Sequence, residues 1–185
     1  MDRTTRDRLI AAYKDGHRLV VDALAGATDA ELAFVPGPGR WSARQVVHHL
    51  ADSEMTSAIR LRMLIATPAP AIAGYDQDEF ARRLYYDRPV QPSLDAFGAA
   101  RRSTGDILDR LTEDEWLRQG THSESGAYSV LRWLEIYAAL ARAGLVAVPV
   151  NFRLKGPEVD YIVRHSEAQA FIVQEDLRAL VDGIR

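Results

Sequence analysis

Cysteine is absent from the 185 residues. That excludes disulfides, thiolate metal sites and a cysteine nucleophile, so any metal must be held by imidazole, carboxylate or water. Histidine is scarce, with five in the chain: His17, His48, His49, His122 and His165. No stretch reaches the roughly 18 apolar residues of a membrane-spanning helix. Neither sign of charge dominates: 23 Lys+Arg stand against 26 Asp+Glu, a net charge of −3. This leaves no electrostatic case for nucleic acid or an anionic membrane as partner. The opening residues MDRTTRDRLI are charged and lack the apolar stretch of a secretory leader, so the cytoplasm is the expected location. What the chain does have is a core-forming composition, 47% hydrophobic. That suffices for one domain, with or without a short appendage.

The first two-thirds reads as helices. Leu9, Tyr13, Val20 and Leu24 recur at helical spacing. Thr28 and Glu31 form a capping-box pattern, and Pro36-Gly37-Pro38-Gly39 then breaks the chain. Ser42, answered by Gln45, caps a second helix that should run to about Ile65, before Pro68 and Pro70. Its inner stripe is expected around Val46, Leu50 and Ser53. Residues 66–91 read as a long loop with one helical turn near Asp78–Leu84. A third helix should follow Pro92, capped by Ser93, with Leu94, Phe97, Arg101, Thr104, Leu108 and Leu111 along one stripe. Thr112 and Glu115 make another capping box, and a fourth helix is expected from Ser125–Tyr128, with Leu131, Leu134, Ala138 and Ala141 inside. Four such helices make a bundle.

Near residue 143 the pattern changes. The apolar run from Leu145 to Val150, the Gly156-Pro157 helix start and the run from Ala170 to Val173 read as a βαβ(α) segment. The expected fold is therefore mostly α: a helical bundle over residues 1–143, then a short αβ appendage over 144–185.

Chemistry centres on the second helix, Trp41-Ser-Ala-Arg-Gln-Val-Val-His48-His49-Leu-Ala-Asp52-Ser-Glu54. Adjacent helical residues point about 100° apart, so at most one of the two histidines faces the bundle centre. His49 falls near the edge of the inner stripe. A neutral imidazole there is either a divalent-metal ligand or a boundary histidine bonded to its neighbours. Asp52 and Glu54 are either solvated or helix-pairing charges, or carboxylates that support a ligand from behind.

This motif resembles the second-helix signature of the DinB/YfiT-like family of four-helix bundles. The likeness spans about residues 5–139 and includes the proline-rich loop and Trp133-Leu-Glu-Ile-Tyr137. It implies one divalent metal, Ni, Zn or Fe, held between a histidine of the second helix and a His-x-x-x-His pair on the last. It also implies a transferase using a low-molecular-weight thiol, or a hydrolase, acting on a small molecule. His49 matches the first ligand, and His48, Asp52 and Glu54 match positions around it. The pair, however, should fall at Leu140 and Gly144, and neither side chain can ligate. Glu135 and His122 are the nearest substitutes, the first off position and the second in a loop. The metal site is expected to be incomplete, with binding weak or absent and little activity.

The tail has its own resemblance. The stretch Gly144-Leu-Val-Ala-Val-Pro-Val-Asn151 and its continuation to about residue 177 look like an N-terminal fragment of an AMP-binding acyl-CoA synthetase. The nucleotide loop and catalytic lysine of such adenylate-forming enzymes are missing, so ATP and CoA are not expected ligands. The chain thus looks like a fusion or chimera joined near residue 140. The alternative reading is a non-enzymatic bundle whose αβ tail serves packing or a homodimer through its open strands.

Overall fold

Ten short elements carry the chain from its first residues to Arg142. A computed structural model describes residues 1–142, with side chains through Ala138. Four helices do most of the packing: α1 (Arg3–Ala23), α3 (Ala43–Ala66), α5 (Gln91–Leu108) and α7 (Val130–Arg142). The short helices α2 (Asp29–Ala33), α4 (Gln77–Arg83) and α6 (Glu113–Trp116) lie in the connections. The chain divides into two units, Met1–Leu145 and Val146–Arg185. The βαβ(α) expectation for 144–185, like Gly144 itself, lies outside the described residues.

The capping boxes expected at Thr28, Ser42 and Thr112 all form, so α2, α3 and α6 begin where side-chain oxygens meet otherwise orphaned N–H groups. The third long helix differs from expectation. It starts at Gln91 behind Val90 with no side-chain cap. Ser93 is already inside the helix and buried, and its hydroxyl turns to α3 instead. Proline in the first turn needs no N–H partner, which makes the uncapped start tolerable.

The expected start of the last helix near residue 125 is also corrected. Residues 119–129 form a hairpin, with β2 (Gln119–His122) antiparallel to β3 (Gly126–Ser129). The strand β1 (Ala71–Ile72), from the proline-rich stretch, pairs parallel with β2 to complete a sheet of order β1-β2-β3. The sequence hides this hairpin because the buried positions of β2 are Gly120 and His122, so no apolar alternation marks it. His122 is accordingly a buried strand residue, not an exposed loop histidine. Gly120 is required where it stands, because an added methyl would run into the Pro70 carbonyl oxygen.

The core runs from Ile10 and Tyr13 through Leu61, Leu64, Ile72, Leu108 and Trp116 to Val130, Trp133, Leu134 and Ala138. Tyr13 meets Trp133 edge-on at 5.3 Å, and the Trp133 indole donates to the Ser57 carbonyl at 2.9 Å. Every polar atom of that contact is paired, so α1, α3 and α7 close without an orphaned donor. Helix α3 packs along α5, and α1 along both α5 and α7, while α3 and α7 touch less.

Candidate metal centre

Helix α3 places its polar residues on three faces. The inward set is Val47, Ala51, Glu54, Ala58 and Leu61, together with His48. This corrects the stripe expected at Val46, Leu50 and Ser53, which are only half-buried. The reason is that this bundle buries paired polar groups, so apolar periodicity alone puts the inner face one residue early.

Of the two adjacent histidines, His48 is the fully buried one. Its Nε2 lies 2.9 Å from the Arg88 carbonyl and its Nδ1 2.8 Å from the Ser93 hydroxyl. The carbonyl can only accept, so Nε2 carries the proton and Nδ1 accepts from Ser93. Burial pulls this histidine below its ordinary pKa. With both nitrogens committed to protein groups, His48 ties α3 to α5 and offers nothing to a ligand.

His49 is the complement. It is half-buried, meets the Trp41 indole edge-on at 5.1 Å, and its buried Nδ1 has no hydrogen-bond partner among the described residues. Desolvation lowers its pKa, against the opposing pull of Asp52 and Asp78. The ring is therefore neutral at pH 7, as a metal ligand must be.

Asp52 and Glu54 are both buried, so neither is a solvated charge. Asp52 stands beside His49 in electrostatic terms and accepts from the Tyr86 hydroxyl at 2.7 Å. Tyr86 packs edge-on against Trp41 at 6.1 Å, so Asp52 fixes the aromatic wall next to His49. Glu54 lies about 140° further round the helix and belongs to the bundle interior. It pairs with Arg101 at 2.8 Å and accepts from the Tyr13 hydroxyl. Burial pushes its carboxyl up against the pull of Arg101 and Tyr13. Arg101 also donates to the Tyr13 carbonyl at 2.6 Å and lies over the Tyr13 and Phe97 rings. The periodicity of the third helix placed Arg101 and Thr104 inside, but its link to Glu54 needs tertiary geometry to be seen.

The substitutes named from sequence do not converge on His49. Glu135 is exposed, its nearest ionic partner being Arg132 at 3.9 Å. His122 packs on Tyr128 at 5.4 Å, and its Nδ1 accepts from the Glu124 N–H. The side chain of Leu140 and all of Gly144 lie outside the described residues. Among the described residues no three His, Asp or Glu groups are placed to hold a metal. His49 has the chemistry of one ligand, and among the described residues those around it do not make the set of three that the resemblance implies. A cavity of about 500 Å³ lies elsewhere, between α1 and the α5–α6 corner. Its charged lining pairs with itself, Arg6 with Glu113 and Lys14 with Asp109, and it contains no histidine.

The helical bundle agrees with what comparison finds. Residues 12–139 match the DinB superfamily. The chain belongs to the DinB superfamily. A protein of Oceanobacillus iheyensis, provisionally named a metal-dependent hydrolase, is 34% identical over 129 residues, 70% of this chain and 75% of that protein. YfiT of Bacillus subtilis, with the same provisional name, is 35% identical over 77 residues, 42% of this chain and 43% of that protein. The solved structure of YfiT, described as a four-helix bundle of unusual topology, overlays this DinB-superfamily chain with a TM-score of 0.73. That overlay covers 78% of this chain and 83% of YfiT at 25% identity. Residues 127–184 separately match the AMP-binding enzymes, overlapping the end of the DinB-superfamily match. Among the described residues no helix is long and apolar enough to cross a membrane.

Proposed function

We propose that this chain derives from a metal-dependent hydrolase or thiol transferase and retains His49 as the sole survivor of its metal-ligand set. The observation that carries this reading is the state of His49: neutral, half-buried, with a buried nitrogen that no group among the described residues meets. It occupies the second-helix position at which the DinB/YfiT-like signature puts its first ligand. The positions matched to the ligand pair of the last helix are Leu140 and Gly144. Leucine and glycine have no side-chain donor, and one imidazole alone binds a divalent cation weakly. Turnover is correspondingly slow or absent. The names of the Oceanobacillus and Bacillus relatives favour water as nucleophile, and the family resemblance adds a low-molecular-weight thiol as the alternative. Either way the substrate is a small molecule, and the cytoplasm is the compartment we assign.

Calorimetric titration of the purified chain with Ni²⁺, Zn²⁺ and Fe²⁺, each in turn, tests this. The expected result is weak binding, at most one ion per chain, that disappears in His49→Ala. Tight binding that His49→Ala leaves unchanged would show that the metal, if used, sits elsewhere.

A further inference from the structure

Arg60 continues the flank of α3 that His49 begins. Eleven helical residues advance about 16 Å along the axis and end only about 20° out of line. His49, Ser53, Thr56 and Arg60 therefore follow one another along α3, and all four are half-buried. Tyr75 lies against the same flank. Its phenol approaches Ser53, and its ring centre is 5.7 Å from the Arg60 guanidinium. From α7 the Tyr137 hydroxyl comes within reach of Arg60 and Ser57. Tyr128 on β3 and His122 on β2 feel the same positive charge. The Tyr75 ring thus packs on this cation, and its charge is felt by Tyr137, Tyr128 and His122.

That cation forms no ion pair among the described residues, although the Glu124 carboxylate lies against Gly74, next to the Ala73 carbonyl that Arg60 bonds. Among the described residues it donates to the Ala73 carbonyl at 2.5 Å and lies over the Tyr75 ring, with the Tyr137 hydroxyl in its field. Arg6, Arg44 and Arg101 each hold a carboxylate. Arg62 and Arg88 also lack one, but direct their donors to several hydroxyls and carbonyls: Ala58, Thr104 and Ser103 for the first, Leu84, Tyr85 and Ser93 for the second. A guanidinium presents five N–H donors in a rigid fork, and the contacts of Arg60 leave part of that fork unused. Glu54, whose field also reaches Tyr137, is already neutralised by Arg101.

A partly desolvated fork flanked by phenol donors suits an oxyanion, because charge-assisted bidentate bonds are the strong ones. We propose that Arg60, with Tyr75 and Tyr137, forms a subsite for a carboxylate or phosphate group of a small molecule lying along α3 from His49. Its place in the substrate groove rests on the reading of His49 given above, but the subsite itself needs no metal.

The test uses the full-length, ¹⁵N-labelled chain with a chelator present. Inorganic phosphate is titrated in one arm and butyrate in the other, at constant ionic strength. The Arg60 Nε–Hε resonance and the melting temperature are followed. A saturable shift of that resonance in at least one arm is expected, and the arm that saturates identifies phosphate or carboxylate as the group held. Arg60→Gln should weaken binding about tenfold or more, Arg60→Lys should recover part of it, and Arg62→Gln should bind like the parent. Tyr75→Phe, which keeps the ring, should weaken binding less and serves if Arg60→Gln does not melt cooperatively. Responses that never saturate in either arm, or binding that survives Arg60→Gln, would overturn the proposal. With metal chelated throughout, a negative result leaves the His49 reading standing, and a failed metal titration leaves this subsite untouched.

Discussion

Glu54 and Arg101 show what single residues do in this bundle. Both are buried, and each satisfies the other across α3 and α5. Their Coulomb attraction offsets a desolvation cost of similar size, so the intact pair adds little net stability. Breaking it is different. Glu54→Ala leaves a buried guanidinium unpaired and should cost about 3–5 kcal/mol in urea denaturation. Replacing both residues by Leu or Met should recover most of that loss. Trp41→Ala should cost less, about 2–3 kcal/mol, because Trp41 is half-buried and its main neighbours are His49 and Tyr86. Protonation adds a further residue-level expectation. His48, His49 and His122 all lie below the ordinary value of 6.5, chiefly through burial. Below that value the unfolded chain binds more protons than the folded one. Stability is therefore full above pH 6.5 and falls as pH drops toward the folded values. Glu54 works in the opposite sense, since its raised carboxyl takes its proton first in the folded state. Urea midpoints should decline from pH 7 to 5.5, and a flat profile would contradict this account.

At the scale of elements, the start of α3 matters most, because that helix carries His48, His49, Asp52 and Arg60. Its capping box is reciprocal, with Ser42 accepting from the Gln45 N–H and Gln45 from the Ser42 N–H. Ser42→Ala should cost about 1 kcal/mol and loosen the first turn beside Trp41. In the small sheet, Gly120→Ala should be worse than its size suggests, because the new methyl meets the Pro70 carbonyl that accepts from Thr121 at 2.9 Å. A loss of about 2–3 kcal/mol is expected, with faster amide exchange at Thr121. These elements also mark what the sequence could reveal. Capping boxes are local and chemical, so α2, α3 and α6 were legible to within a residue. The stripe from Leu94 to Leu108 was legible because period 3.6 survives an arginine and a threonine. The hairpin was not, because glycine and histidine fill its buried positions. Ser93 has the look of a cap, but its hydroxyl meets His48 instead, and the role of His48 is visible only in three dimensions.

For the whole molecule, the apolar cluster from Ile10 to Ala138 lies within Met1–Leu145. A chain ending at Leu145 should therefore still unfold cooperatively in urea, and a broad, probe-dependent transition would count against this. His49, Leu140 and Gly144 all fall within that same stretch, Met1–Leu145. His49 was legible from a motif, and its orphaned nitrogen only from structure, while the missing partners are read from the identities of Leu140 and Gly144. The central proposal is that Leu140 and Gly144 stand where a working metal site would carry its histidine pair. Replacing both by histidine tests it most directly, with melting temperature followed against Ni²⁺ concentration. The double variant should bind Ni²⁺ tightly, and its melting temperature should rise with metal by mass action, an effect abolished by adding His49→Ala. A metal-free control separates this from any change in stability that the two substitutions make without metal. The account is contradicted if the double variant shows no metal-dependent rise, or if the unmodified chain already holds one ion tightly without His49.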